Sequence, residues 1–430
     1  MTDNNATIVI KGASVWRPNH RDFSRRDVVI SDGIIAEISD ETNRFDNATV
    51  INADGMHLLP GLVDMHVHFR QPGYEYKETI ASGSRAAAAG GFTTVCTMPN
   101  LNPAPDSLPN LEVQLDIIRR EALIDVIPFA TITRLRMGNE PVDFSALAPF
   151  VAGFSDDGSG VQDEKVMRDA MLGIAPTGKI LAAHCEVNDL LNGGYVHKSP
   201  ILEERGHRGI CSESEWHEVE RDIRLAEETG CRLHICHIST KESVDLVRRA
   251  KERGVEVTCE TAPHYLEFCD ADVLEEGRFK MNPPIRCADD REALRQGVAD
   301  GTIDVIATDH APHSAEEKSR GLEKSAMGVV GLETALAAVY SSMVETGRMP
   351  LSRLVEAMAI APRRILGLND SLNPGNVANL TLVDFNALRT VEPADFCSMG
   401  KSTPFAGMAL SGVVAATIHN GKIVYSKITG

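Results

Sequence analysis

Positive charge and paired cysteine are both scarce in this 430-residue sequence. Lysine and arginine number 43 against 61 aspartates and glutamates, a net charge of −18. Nucleic acid and anionic membrane need a basic footprint, so neither is expected as a partner, although a few well-placed cations can still serve a small anion. The nine cysteines stand singly, with no CxxC pair. Buried reduced thiols are therefore expected instead of a disulfide framework or a thiolate metal cage. No apolar run is fit to span a bilayer: those at 329–343 and 412–418 are broken by Glu333 or too short. The stretch MTDNNATIVIKG lacks the basic flank and long apolar core of a secretory leader, so a cytoplasmic protein is expected. Low-complexity tracts and internal repeats are also missing. What is present, 43% hydrophobic and 24% charged residues, is ordinary for a globular chain long enough for one large barrel and a small companion.

Both ends read as short alternating strands. ATIVIKGASVW, DVVISDGIIAEI and ATVINADGMHLL lie in the first sixty residues, and NVANLTLVDF and VVAATIHNGKIVYS in the last sixty. Asp32-Gly33, Asp54-Gly55 and Asn420-Gly421 are tight-turn signals between them. This predicts one small β-sandwich domain assembled from residues 1–59 and 371–430. Between them, residues 60–370 alternate strands with helical stretches. The eight strand candidates are LVDMHVHF, FTTVCTMP, IDVIPFATI, VAGFSD, KILAAHCE, CRLHICHI, VEVTCETAP and IDVIATDH. Eight such units predict an α/β fold, a (β/α)8 barrel.

Such barrels carry their chemistry at the C-terminal ends of the strands. The reactive residues fall there. His66 and His68 end strand one, Asn100 strand two, Asp156-Asp157 strand four, His184 strand five, His237 strand six, and Asp309, His310 and His313 strand eight. Residues two apart on a strand share a face, so His66 and His68 can reach one metal ion, and Arg70 continues that alternation. Imidazole and carboxylate donors in this number suit two divalent cations, zinc first, with manganese or cobalt as substitutes. A water between such ions ionises near neutral pH, and Asp309 is placed to ligate and to carry its proton. Singly, each element has a plainer reading: HxH as polar strand residues, His184 or His237 as a core histidine, Asp156-Asp157 before Gly158 as a turn, Arg70 as an ion pair. His234, three residues before His237, is expected on the opposite face as a core histidine.

With these residues assembled, the chain resembles the amidohydrolase superfamily and, within it, class I dihydroorotases. The resemblance rests on DMHVHFRQPG, GGFTTVCTMPN, FSDDG, AHCE, CHISTKES, KMNPP and ATDHAPH, and runs from about residue 55 to 410. It implies that His66, His68 and Asp309 bind one metal, that His184 and His237 bind a second, and that Asp157 bridges the two. One or two Zn2+ per subunit are implied, two favoured. Arg70, Asn100 and His313 would hold the substrate carboxylate, and Asn282 with the backbone of Met327 and Gly328 would contact the pyrimidine ring. The implied reaction is the reversible cyclisation of N-carbamoyl-L-aspartate to L-dihydroorotate in pyrimidine synthesis, by metal-activated hydroxide in the hydrolytic direction, with Asp309 as general acid/base. A homodimer is implied, and association with aspartate transcarbamoylase is a further option.

VAGFSDDGSG holds no lysine, so a carboxylated-lysine bridge is excluded, and alternation aims Asp156 away from Asp157. The sequence departs from the family pattern at Gln71, at Ala326-Met327-Gly328 and at Asn379, none of them an expected ligand. The charged segment 314–327, SAEEKSRGLEKSAM, reads either as a mobile lid or as a solvated loop. Two rival functions are an allantoinase or dihydropyrimidinase, against which Arg70 argues, and a non-catalytic scaffold, against which the full ligand set argues.

Overall fold

The computed structural model describes residues 7–42, 48–369 and 372–428. The first six residues of the stretch read for a leader, and the expected boundary at 371, lie outside them. All eight expected central strands form: Leu62–Val67, Phe92–Thr97, Asp125–Pro128, Gly153–Phe154, Ile180–Ala183, Arg232–Ile235, Val257–Thr261 and Val305–Ile306. They are called the first to eighth barrel strands below. Three pair in parallel as one sheet and five as another. Parallel bridges from Ala130 to Phe154 and from Val67 to His310 join the two sheets, and His68 N–H donates to His310 O at 2.8 Å across the second seam. The ring is thus closed, a (β/α)8 barrel.

Side-chain alternation builds its two layers. In the sixth strand Leu233 and Ile235 face the surrounding helices, while Cys236 joins Cys96, Ile180, Ala182, Val305 and Ala307 in the barrel interior. Counting on by twos from Ile180-Ala182 and Val305-Ala307 brings His184 and Asp309 inward just past the strand ends. The helices follow the same logic. Ile80–Ala89 opens with a Thr79–Ser82 capping box, and the Gln71 side chain accepts from Ile80 N–H at 2.9 Å. Gln71 therefore serves the helix start.

The eight remaining major strands form one mixed sheet from both ends of the chain. Lys422–Ser426, Ala409–His419, Leu380–Thr390, His57–Pro60, Thr7–Arg17, Asp22–Ser31 and Ile34–Ser39 neighbour one another in that order. Ala48–Asn52 lies beside the first half of Thr7–Arg17 and His57–Pro60 beside its second half, so both share one edge. The strands of the small β domain from both termini thus form one branched sheet, packed around Ile8, Ile10, Val28, Ile51, Leu380 and Ile418. Asp32-Gly33 and Asn420-Gly421 each carry two positive φ angles (52° and 81°, 50° and 71°), the tight hairpin turn that Asx-Gly favours. Asn379 Oδ1 accepts from Asn420 N–H at 2.7 Å, and its carbonyl from Gly61 N–H at 2.8 Å, tying the second hairpin to the start of the barrel.

All nine cysteines are free and six are buried. Among the described residues no helix is long and apolar enough to cross a membrane.

Candidate metal centre

A cavity of about 220 Å3 opens at the C-terminal ends of the barrel strands. Every residue singled out above as a ligand or substrate contact lines it except His66, which lies fully buried beneath; only Gly158 and Ala311 are added.

Asp157 sits at the centre. Its Oδ1 is 3.3 Å from His66 Nε2, 3.4 Å from His184 Nδ1 and 3.5 Å from His237 Nε2, and its Oδ2 is 3.5 Å from His68 Nε2. Two three-residue donor sets result, His66–His68–Asp157 and Asp157–His184–His237, with the aspartate common to both. Asp309 Oδ1 lies 3.1 Å from His68 Nε2 and 3.5 Å from His66 Nε2. Asp156 points elsewhere: its carboxylate accepts from the backbone N–H of Ile132 at 2.8 Å and of Thr133 at 3.1 Å, and from the Thr133 hydroxyl.

The donor set fits a cation. His66 Nε2 and Asp157 Oδ1 are buried and have no hydrogen-bond partner, as are His184 Nε2 and Asn282 Oδ1. Buried polar atoms without partners are costly, so these four, in or just beneath one cavity, call for a ligand. The field has the matching sign. Burial opposes charge on Asp157, yet the neighbouring His66, His184 and His237 hold its carboxyl well below the usual range. Burial likewise opposes a charged His184, yet Asp157 and Glu186 raise it to about 10. The negative field that favours a proton on His184 also favours a divalent cation.

Each histidine of the first strand is oriented from behind. His66 Nδ1 lies 2.7 Å from Glu260 Oε1, and His68 Nδ1 2.9 Å from Asn100 Oδ1. A carboxylate or amide oxygen there takes the Nδ1 hydrogen and leaves Nε2 free to ligate. Glu260 Oε2 also meets His234 Nε2 at 3.2 Å, and His234 Nδ1 meets the Thr258 hydroxyl at 2.8 Å. His234 is therefore a core histidine, but it faces the barrel interior and not the opposite side. The alternation argument failed because the strand ends at Ile235 and His237 has φ of +32°, which turns it back inward.

Left-handed backbone recurs at two more residues of the site. Arg70 (φ +61°) and Asp309 (φ +47°) are also left-handed, so Arg70 reaches the cavity through a turn after Val67 and not by continued alternation. Left-handed backbone at non-glycine residues costs energy and collects at functional sites.

Arg70 Nε donates to Pro312 O at 3.2 Å and its Nη2 lies 3.5 Å from His313 Nε2, with the guanidinium lining the cavity. His313 is neutral: burial, with Arg70 and Lys77 beside it, lowers it to about 3. Lys77 Nζ donates to His313 Nδ1 at 3.2 Å, so the ring hydrogen sits on Nε2 and goes to Met327 O at 2.7 Å. Asn282 Nδ2 donates to Glu186 Oε1 at 2.9 Å, which leaves Asn282 Oδ1 open to a ligand N–H. His310 turns away: its Nδ1 accepts from Gly331 N–H at 3.2 Å. Sequence reasoning missed Glu260, Glu186 and Lys77. Glu186 stood within the quoted AHCE motif and Glu260 within a strand candidate, but only their neighbours in space reveal a role.

The segment 314–327 folds into Ala315–Lys318 and Gly321–Lys324, with Leu322 and Lys318 buried.

Residues 55–243 match the family described as Dihydro-orotase-like. The dihydroorotase of Fusobacterium nucleatum subsp. nucleatum is 45% identical over 405 residues, 94% of this chain and 95% of that one. That of Shouchella clausii is 45% identical over 408 residues, 94% of each. Among solved structures, the L-hydantoinase (dihydropyrimidinase) of Arthrobacter aurescens superposes with a TM-score of 0.87 at 25% identity, over 98% of this chain and 96% of that one. The dihydropyrimidinase of Brevibacillus agri NCHU1002 gives 0.85 at 21%, a likeness of fold.

Proposed function

The chain belongs to the dihydroorotase family, and from that membership we propose that its cavity binds two zinc ions and interconverts L-dihydroorotate and N-carbamoyl-L-aspartate through the residues set out here. The observation that carries this assignment is the pair of donor sets sharing Asp157, with Arg70 at the rim. His66, His68 and Asp309 would hold one ion and His184 and His237 the other, with Asp157 available to both. Zinc so held supplies Lewis acidity, easing ionisation of water and polarising an amide carbonyl.

The remaining work falls to side chains. Arg70 takes the ring carboxylate with its two terminal nitrogens, a bidentate pairing that a lysine could not make. Asn100, whose oxygen is occupied by His68, offers its amide hydrogens to the same carboxylate, while His313 supports it from behind with its ring hydrogen already on Met327 O. Asn282 Oδ1 accepts a ring N–H, and the second lone pair of the Met327 carbonyl faces the ring beside Gly328. Asp309 accepts the proton from water as the cyclic amide is opened and returns it to the departing ring nitrogen; in the cyclising direction it runs the transfer backwards. The hydrogen bond from His68 favours the ionised form of Asp309 despite burial, as a base requires.

The same reading assigns residues 1–59 and 371–430 to an accessory domain around a barrel of 60–370, working in the cytoplasm as a homodimer able to associate with aspartate transcarbamoylase. The test is hydrolysis of dihydroorotate by the purified chain alone, beside hydantoin and dihydrouracil, with zinc quantified on the same sample. Dihydroorotate turnover that tracks two zinc ions per chain supports the assignment. Preference for hydantoin refutes the substrate, and a zinc-loaded inactive protein refutes independent catalysis.

A further inference from the structure

One buried cation has no part in the chemistry above. Lys318, at the end of the short helix after His313, is 8% exposed. Its ammonium donates to three backbone carbonyls: Gly328 at 2.7 Å, Ala326 at 2.8 Å and Lys280 at 3.1 Å. Three hydrogens on one nitrogen are thereby directed at three oxygens. Burial lowers this ammonium to about 7, Lys280 adding to the shift and Glu317 opposing it. Held in this way, one nitrogen fixes the relative positions of three backbone carbonyls.

The carbonyls it gathers belong to the two segments forming one wall of the cavity. Lys280 precedes Asn282 by two residues, and its carbonyl also accepts from Gly328 N–H at 3.0 Å. Asn282, Met327 and Gly328 all line the cavity. Lys280 returns the favour, its Nζ donating to Glu323 O at 2.6 Å. Gly328 has φ of +129°, and a Cβ there would come within 2.8 Å of Ala311, so this strand of the wall has one conformation to hold.

We propose that Lys318 is a positioning residue for the substrate ring: its ammonium locks the Met327–Gly328 backbone to the Lys280–Asn282 segment and so sets the width of the ring pocket. The proposal rests on the cavity being the dihydroorotate site. Lys318 touches neither the expected ligands nor Asp309, so its loss weakens ground state and transition state alike.

The test is steady-state hydrolysis of dihydroorotate by zinc-loaded K318M and K318R. K318M raises KM by about tenfold, with kcat within about threefold and zinc content unchanged. K318R keeps the charge but cannot direct three hydrogens of one nitrogen at three carbonyls, so it raises KM about two- to fivefold. Wild-type KM in K318M overturns the proposal. A kcat that falls as far as KM rises also overturns it, because that pattern marks general disorder of the site. If K318M does not accumulate as folded zinc protein, K318R decides alone, and a wild-type KM there overturns the proposal. An unmutated enzyme inactive on dihydroorotate refutes the substrate assignment itself, a result distinct from any of these.

Discussion

Glu260 Oε1 and His66 Nδ1 lie 2.7 Å apart beneath the cavity, and this contact fixes which nitrogen of His66 can meet a metal ion. Glu260 is fully buried, and its charge is held by His66 and His234 against the cost of desolvation. E260Q can present an N–H to His66 Nδ1 and so favour the wrong tautomer. We expect it to weaken zinc binding by about 10–100-fold, measured by competition with a chromogenic chelator, while circular dichroism stays unchanged. Undiminished zinc affinity would show that the ring orientation is set elsewhere.

Asp309 stands 3.1 Å from His68 Nε2 at the cavity's edge and is the one carboxylate there outside both three-residue donor sets. D309N removes the proton acceptor at nearly constant volume. The expected outcome is a fall in kcat of about 10^3-fold or more, with at least the ion shared by Asp157, His184 and His237 retained. Near-normal turnover would rule Asp309 out as the proton carrier.

For Arg70, the predicted loss is in affinity. Removing charge-assisted bonds to a carboxylate costs about 1.5–3 kcal/mol, so R70A should raise KM for dihydroorotate by about 10–100-fold with a smaller effect on kcat. R70K should recover little of it, since an ammonium cannot pair side-on. A KM unmoved in R70A sinks the clamp.

His313 supplies a pH test. It titrates near 3 in the folded chain against an ordinary value of about 6.5, because burial and the neighbouring Arg70 and Lys77 disfavour its charge. Between those values the unfolded chain binds the extra proton, so stability rises with pH through that window and is lost as pH falls from 6.5 towards 3. Lowering pH from 8 to 5 should cost about 2 kcal/mol through this residue alone. H313N lacks the titration but can still donate to Met327 O, so the difference between its urea midpoints at the two pH values should be smaller than for the wild type. Equal differences would mean that His313 is charged in the folded protein.

The strand ends were legible because two periodicities coincide. Alternation within Ile180–Ala183 and Val305–Ile306 already aims His184 and Asp309 inward, and a parallel barrel brings all such ends to one rim. The reading failed where the backbone leaves the strand region. Nothing local in CHIST announces a positive φ at His237, so counting from it misplaced His234. Charge density misled at 314–327: a lysine among glutamates suggests a solvated face, yet Lys318 is buried because three carbonyls up to 38 residues away in sequence satisfy its hydrogens. Glu260 was silent for a similar reason. Its partners His66 and His234 come from other strands, and only closure of the barrel makes them neighbours.

The branched sheet shared by the two ends has a consequence for how the chain is made. His57–Pro60 hydrogen-bonds to Leu380–Thr390 in antiparallel register, Pro60 opposite Leu380, across some three hundred and twenty residues. At ribosomal rates of about 5–20 residues per second, the first strands wait on the order of tens of seconds for that partner. During synthesis they present an unpaired apolar edge, the kind of surface that recruits strands from other chains. Completion of this enzyme is thus governed by contact order as much as by stability, and its nascent form is the state most exposed to misassociation.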